Sequence, residues 1–268
     1  MTRAMKLAIT KERRRHSSNL RALGESLLTA AVCEDISPLE SAAYQCLKGS
    51  PTTPAWSYDV SLLTFRLSNL AGIRPMGASG MIATLSVSLT GRIRDASVDA
   101  DPFSQLAIDL VLSGTEAKHT VKAAWHFDRH IGQNETRSDI HPLYHVQYGG
   151  RQMKQAELGE TLLCDAPRIL HPPMDAVLAV DFVTSNFAYP GWLALRQDPA
   201  YMRLMAASYR LFWQPWFYCM SSFWNEQAHL RWNEHRMLCP SLPEPSIPAF
   251  AAHTTSSPKK RSKPKRRK

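Results

Sequence analysis

From Met81 onward the apolar residues fall on odd positions, Met81, Ala83, Leu85, Val87, Leu89 and Ile93, while Thr84, Ser86, Ser88 and Thr90 fill even ones. Side chains of an extended chain alternate between two faces, so this period of two predicts a strand with one buried face. A second run sets Leu106, Ile108, Leu110 and Leu112 against Gln105, Ala107, Asp109 and Val111, and the SGTE segment from Ser113 to Glu116 predicts the turn that follows. A third sets Val121, Ala123, Trp125 and Phe127 against Thr120, Lys122, Ala124, His126 and Asp128. A fourth sets Tyr144, Val146 and Tyr148 against Leu143, His145 and Gln147, and Gly149-Gly150 predicts a two-residue hairpin turn after it. Parallel crossovers need a dozen or more residues each, so the short spacings predict an antiparallel meander.

The flanks change period. Residues 3–48 read as helical, with Leu20, Leu23, Leu27, Leu28 and Ala31 at helical spacing. Within them SPLE at Ser37 to Glu40 has the form of a capping box opening a second helix, with Ser37 accepting a backbone bond and Glu40 reaching back. Beyond residue 171 the helical period returns. Pro173 suits a first turn, Asp175 suits the positive end of a helix dipole, and Met174, Val177, Leu178 and Phe182 form an apolar stripe. Asp198-Pro199 opens another helix, which Pro215 kinks or ends. The expectation is an α+β fold, an antiparallel β-meander of about four strands packed against N-terminal and C-terminal helices. One domain spans residues 1–240, with a helical segment at 1–55, the sheet at 79–165 and helices at 172–236, followed by a disordered basic tail at 241–268 rich in proline, serine and lysine.

Charge alters this picture only at one end. The chain carries a formal net charge of +9, but residues 258–268 hold eight basic residues and no acidic one, so the remainder is nearly neutral. Basicity therefore points to nucleic acid only through the tail from Lys259 to Lys268, which would also read as a nuclear localisation signal in a eukaryote. Five cysteines, odd in number and without a CxxC pair, fit a reducing cytosol and neither a zinc ribbon nor a disulfide framework. The basic start has no apolar core of a secretory signal; it is Arg-rich like a transit peptide, with Glu12 counting against that. No run of about 20 apolar residues occurs, so no membrane span is expected. The expected compartment is the cytoplasm.

The stretch from Trp125 to His171 concentrates candidate chemistry, holding five of the ten histidines. Histidine moves protons and ligates metals near neutral pH. The alternation places His126 and Asp128 on the polar face of the third run and His145 on that of the fourth, with Asp109 nearby, a set suited to acid-base work or a divalent metal. His126 and His130 in one extended strand would lie about 13 Å apart and cannot share an ion. His141 and His171 precede prolines that fix the backbone, and His171 just before a helix start, with Arg168 close by, suits an anion such as phosphate. Asp181, on the apolar stripe, should have a histidine or arginine partner from the sheet.

Catalytic candidates are therefore His126, Asp128, His141, His145, His171 and Arg168, with His126, Asp128 and His145 as metal ligands. Water exposure of the same sheet face is the plainer account of each residue taken alone. Cys164, beside Asp165, is a weaker candidate nucleophile. Seven aromatics between Phe212 and Trp224 fit core packing first and a protein partner or homodimer second. P-loop, GxGxxG and GxSxG motifs are absent, which disfavours the corresponding nucleotide enzymes and hydrolases. The leading expectation is a histidine-based, metal-assisted hydrolase or phosphotransfer enzyme acting on a phosphate-containing substrate, nucleic acid among them. Its rival is a noncatalytic component that binds a partner through the aromatic C-terminal helices.

Overall fold

Two helices open the chain, α1 (Arg3–Thr29) and α2 (Ser37–Lys48). The computed structural model describes residues 2–49, 53, 55–67, 77–92, 101–129, 142–153 and 169–223. Leu20, Leu23 and Leu27 of α1 and Leu39, Ala42, Ala43 and Cys46 of α2 recur at helical spacing and all are buried in one apolar cluster with the sheet. The expected capping box does not form: Ser37 lies inside α2, its N–H donates to Asp35 Oδ1 at 2.8 Å in place of Glu40, and the Glu40 N–H goes to the Ile36 carbonyl.

Six strands follow, β1 (Ala55–Arg66), β2 (Ser79–Arg92), β3 (Phe103–Glu116), β4 (His119–Arg129), β5 (Tyr144–Tyr148) and β6 (Ile169–Leu170). They pair in chain order, antiparallel throughout, which is the expected meander with two further strands at its edges. In register, Leu85 faces Leu110 and Leu110 faces Trp125, while Val87 faces Ile108 and Ile108 faces Phe127. These rows make one apolar face. The turn after β3 falls later than SGTE, since the strand runs through Glu116 and the chain reverses at Ala117 and Lys118, with Ala117 at φ 53°.

The edge strand β1 contains a bulge. Val60 pairs with Val87 and Leu63 with Leu85, so Ser61 and Leu62 together oppose Ser86. Leu62 adopts φ 57°, turns its side chain to solvent, and donates its N–H to Ser86 Oγ at 3.2 Å. Helix α1 is tied to this strand by His16, whose ring stacks on Trp56 with centroids 3.5 Å apart. Arg13 adds bonds to the carbonyls of Gly49, Thr53 and Ala55.

The C-terminal helices α3 (Ala176–Phe187), α4 (Tyr189–Gln197) and α5 (Pro199–Ser208) close over the apolar face, and Val177, Val180, Val183, Tyr201 and Met205 join its cluster. Asp175 caps α3, accepting from the Leu178 N–H at 3.0 Å, and Asp198 caps α5, accepting from Ala200 at 2.8 Å. Pro173 precedes α3 rather than sitting in its first turn, and its carbonyl accepts from Trp213 Nε1. Pro215 neither ends nor breaks the last helix. A π-helical turn, Tyr209–Trp213, leads into α6 (Gln214–Phe223), with the Gln214 N–H reaching back to the Tyr209 carbonyl. The wider turn makes room for a residue that has no N–H and whose ring would strike the carbonyl four positions back. Among the described residues no helix is long and apolar enough to cross a membrane. The tail and Trp224 lie outside the described residues.

Candidate metal centre

Trp125 and Phe127 of β4 turn into the core, so the residues between and beyond them, His126 and Asp128, point out of the opposite face. The pairing of β4 with β5 then decides what they meet. Asp128 stands directly across from His145, and His126 across from Gln147. Side chains of such directly opposed residues are in reach of one another, and the diagonal neighbour is within reach of a long one. His126 Nε2 lies 3.4 Å from Asp128 Oδ2, and the His126 and His145 rings meet edge to face with centroids 6.1 Å apart. One ligand atom from each of His126, Asp128 and His145 lies within 4.8 Å of the other two. A tetrahedral ion with ligand bonds of about 2.1 Å would need ligand atoms about 3.4 Å apart, closer than the 4.8 Å within which these three lie.

The surroundings orient these groups. His145 is 2% exposed, and its Nδ1 lies 3.2 Å from the Pro142 carbonyl. A carbonyl only accepts, so Nδ1 is the donor in this contact, the orientation that metal-binding histidines commonly adopt. Burial pushes the Asp128 carboxyl above its ordinary value, offset in part by His126 and Arg151 and reinforced by Asp109. A carboxylate in that position gains from a cation placed beside it.

On the other side of β4, Asp109 of β3 stands across from His126. Its Oδ2 accepts from Arg151 Nε at 3.2 Å, Arg151 Nη2 at 2.7 Å and Gln152 Nε2 at 3.2 Å. Arg151 and Gln152 reach it because the expected hairpin at Gly149-Gly150 does not form. Both glycines have positive φ, 86° and 70°, and they lead the chain into a 3-10 turn, Gly150–Met153, laid over the outer face. The Gly149 N–H donates to the Ala124 carbonyl, and a Cβ on Gly150 would lie 2.6 Å from His126 Cε1 and Nδ1. Glycine is needed there both for its backbone and for the imidazole packed against it.

Three of the six catalytic candidates, His141, His171 and Arg168, fall elsewhere or outside the described residues. His171 follows β6, donates its N–H to the Tyr144 carbonyl, and packs its ring on Phe127 and Phe182, on the core side of the sheet. Burial lowers its pKa and keeps it neutral, with the contact to the Pro172 carbonyl working in the opposite direction. The helix start beside it is no anion site, because the Asp175 carboxylate already holds the Leu178 N–H and Tyr58 Oη accepts from the Ala176 N–H. His141 and Arg168, like His130 and Cys164, lie outside the described residues. Asp181 has partners from helices α4 and α5, where the sheet was expected to supply them. Sequence periodicity missed Arg151, whose only local signal is its position after two glycines.

The fold and site thus define an α+β protein with a His-His-Asp cluster on the sheet face opposite its helices. No family model matches the chain, and neither a curated protein nor a solved structure does.

Proposed function

We propose that His126, Asp128 and His145 hold a divalent transition-metal ion, of the zinc class, at which an ester or anhydride is hydrolysed. The observation that carries this reading is the mutual approach of three ligand atoms within 4.8 Å on two register-paired strands. Two imidazoles and one carboxylate are the ligand types such an ion takes, and three protein ligands leave a further position for water. The ion would supply Lewis acidity and bring bound water toward a pKa of about 7. In hydrolysis the water oxygen bonds to the electrophilic centre, the bond to the leaving oxygen breaks, and a water proton ends on that oxygen, so no other reactant is required. The Pro142 carbonyl orients His145, while Gly150 sets the edge of the His126 ring.

Zinc titration of the full chain, followed calorimetrically and by metal analysis, tests the proposal. One equivalent should bind, and both Asp128→Asn and His145→Gln should weaken it by more than the roughly 10- to 100-fold that loss of an outer-shell partner costs. Hydrolysis of 4-nitrophenyl esters should need the bound metal. Absence of stoichiometric binding of zinc, manganese, cobalt and nickel, or binding indifferent to both substitutions, overturns it. The rival reading, a protein-binding surface, draws on Phe217 and Tyr218 of α6, which are 52% and 60% exposed while Phe212 and Trp216 are buried in the core. That surface would be unaffected by chelation.

A further inference from the structure

Resting on that metal reading, we infer that the centre takes a phosphate ester and that Arg151 is its anion contact. Three observations lead there. First, register: Asp109 stands across from His126, so the guanidinium that Asp109 holds is carried to the side of the His126–Asp128–His145 cluster. Second, orientation: Arg151 spends Nε and Nη2 on the single oxygen Oδ2 of Asp109, and the side chain is still 55% exposed. That leaves Nη1 and the second hydrogen of Nη2 over from the Asp109 contact, and a guanidinium edge matches two oxygens of a tetrahedral oxyanion. Third, charge: a divalent ion, Asp128, Asp109 and Arg151 together leave one net positive charge, so an anionic ligand is favoured over a neutral one. Without Arg151 the same set is neutral.

Asp109 has a defined part in this. Gln152 Nε2 bonds the same Oδ2, so Arg151 is clamped in place before any ligand arrives, and the entropy of fixing a long side chain is spent in folding. One phosphate oxygen would meet the ion and a second the guanidinium. Asp109 acts through Arg151 and is a positioning residue.

The test is binding of inorganic phosphate to the zinc-loaded full chain, measured calorimetrically beside Arg151→Gln, Arg151→Lys and Asp109→Asn, with zinc stoichiometry determined for each variant. The expected result is phosphate binding weakened about 10-fold or more by Arg151→Gln and partly restored by Arg151→Lys. Asp109→Asn should give an intermediate loss. Glycerol phosphate and a short single-stranded oligonucleotide, as competitors, separate a small monoester from a nucleic-acid diester, and displacement by either supports the inference. Zinc binding with no phosphate binding, phosphate binding indifferent to Arg151→Gln, or displacement by neither competitor overturns it while the metal centre stands. Failure to bind zinc at all overturns both.

Discussion

Replacing Asp181 by alanine should cost the protein about 3 kcal/mol of stability, with chemical denaturation as the measurement. The carboxylate is 8% exposed, and it accepts from three side chains of two helices at once: Arg196 Nη2 on Oδ2 at 2.7 Å, and Trp192 Nε1 and Tyr201 Oη on Oδ1 at 3.0 and 3.1 Å. Alanine would leave a guanidinium, an indole and a phenol without their acceptor, and orphaned donors in a closed environment cost more than the bonds themselves contribute. Arg196 retains some contact with water, which places the effect at the lower end of the range for broken buried pairs. Asp181→Asn keeps the oxygen that serves Trp192 and Tyr201, so it should cost less than the alanine. A loss under about 1 kcal/mol for alanine would show that the helices α3, α4 and α5 are not fastened at this point.

Acid should destabilise the fold through His16. Burial against Trp56 is the main cause and the neighbouring Arg15 the second; together they hold its pKa at about 3, against the ordinary 6.5. The group is therefore depressed on folding, so the unfolded chain binds its proton first. Stability from this histidine is complete above pH 6.5 and is lost as pH falls toward 3. At pH 4.5, two units below the unfolded value, the loss is on the order of 3 kcal/mol. Among the described residues Glu12, 3.8 Å away, is the facing carboxylate that would soften it. Asp175 works in the opposite sense: burial raises its pKa, so its ionisation opposes folding at neutral pH and that penalty disappears in acid. Subtracting the pH profile of His16→Phe, which retains an aromatic ring on Trp56, isolates the histidine. Parallel profiles for the two proteins between pH 6.5 and 4.5 would contradict the assignment.

Much of the architecture was legible because the apolar residues alternate over Ala83 to Leu89 of β2, Leu106 to Leu112 of β3 and Val121 to Phe127 of β4. Strand β1 escaped because its bulge at Ser61 and Leu62 shifts the phase halfway along, so Trp56, Tyr58 and Val60 fall on even positions and Leu63 and Phe65 on odd ones. Helix α4 escaped because it opens on Pro190-Gly191, residues that mark turns in most contexts. For the site, alternation put His126, Asp128 and His145 on polar faces, and the antiparallel register brought them together. The same rule separates His171. It follows Leu170, which pairs with His145, so the next residue along belongs to the other face. Arg151 was not legible because a 3-10 turn, with no extended periodicity, delivers it across the sheet to Asp109.

The two faces of β4 divide the strand's obligations residue by residue. Phe127, between His126 and Asp128, belongs wholly to the core cluster, while its neighbours belong to the outer cluster. The core thus constrains Phe127, while His126 and Asp128 answer to the pairing with β5 and to the turn at Gly150. In that sense the sheet is a chassis: its apolar underside fixes where the three side chains of the outer cluster stand.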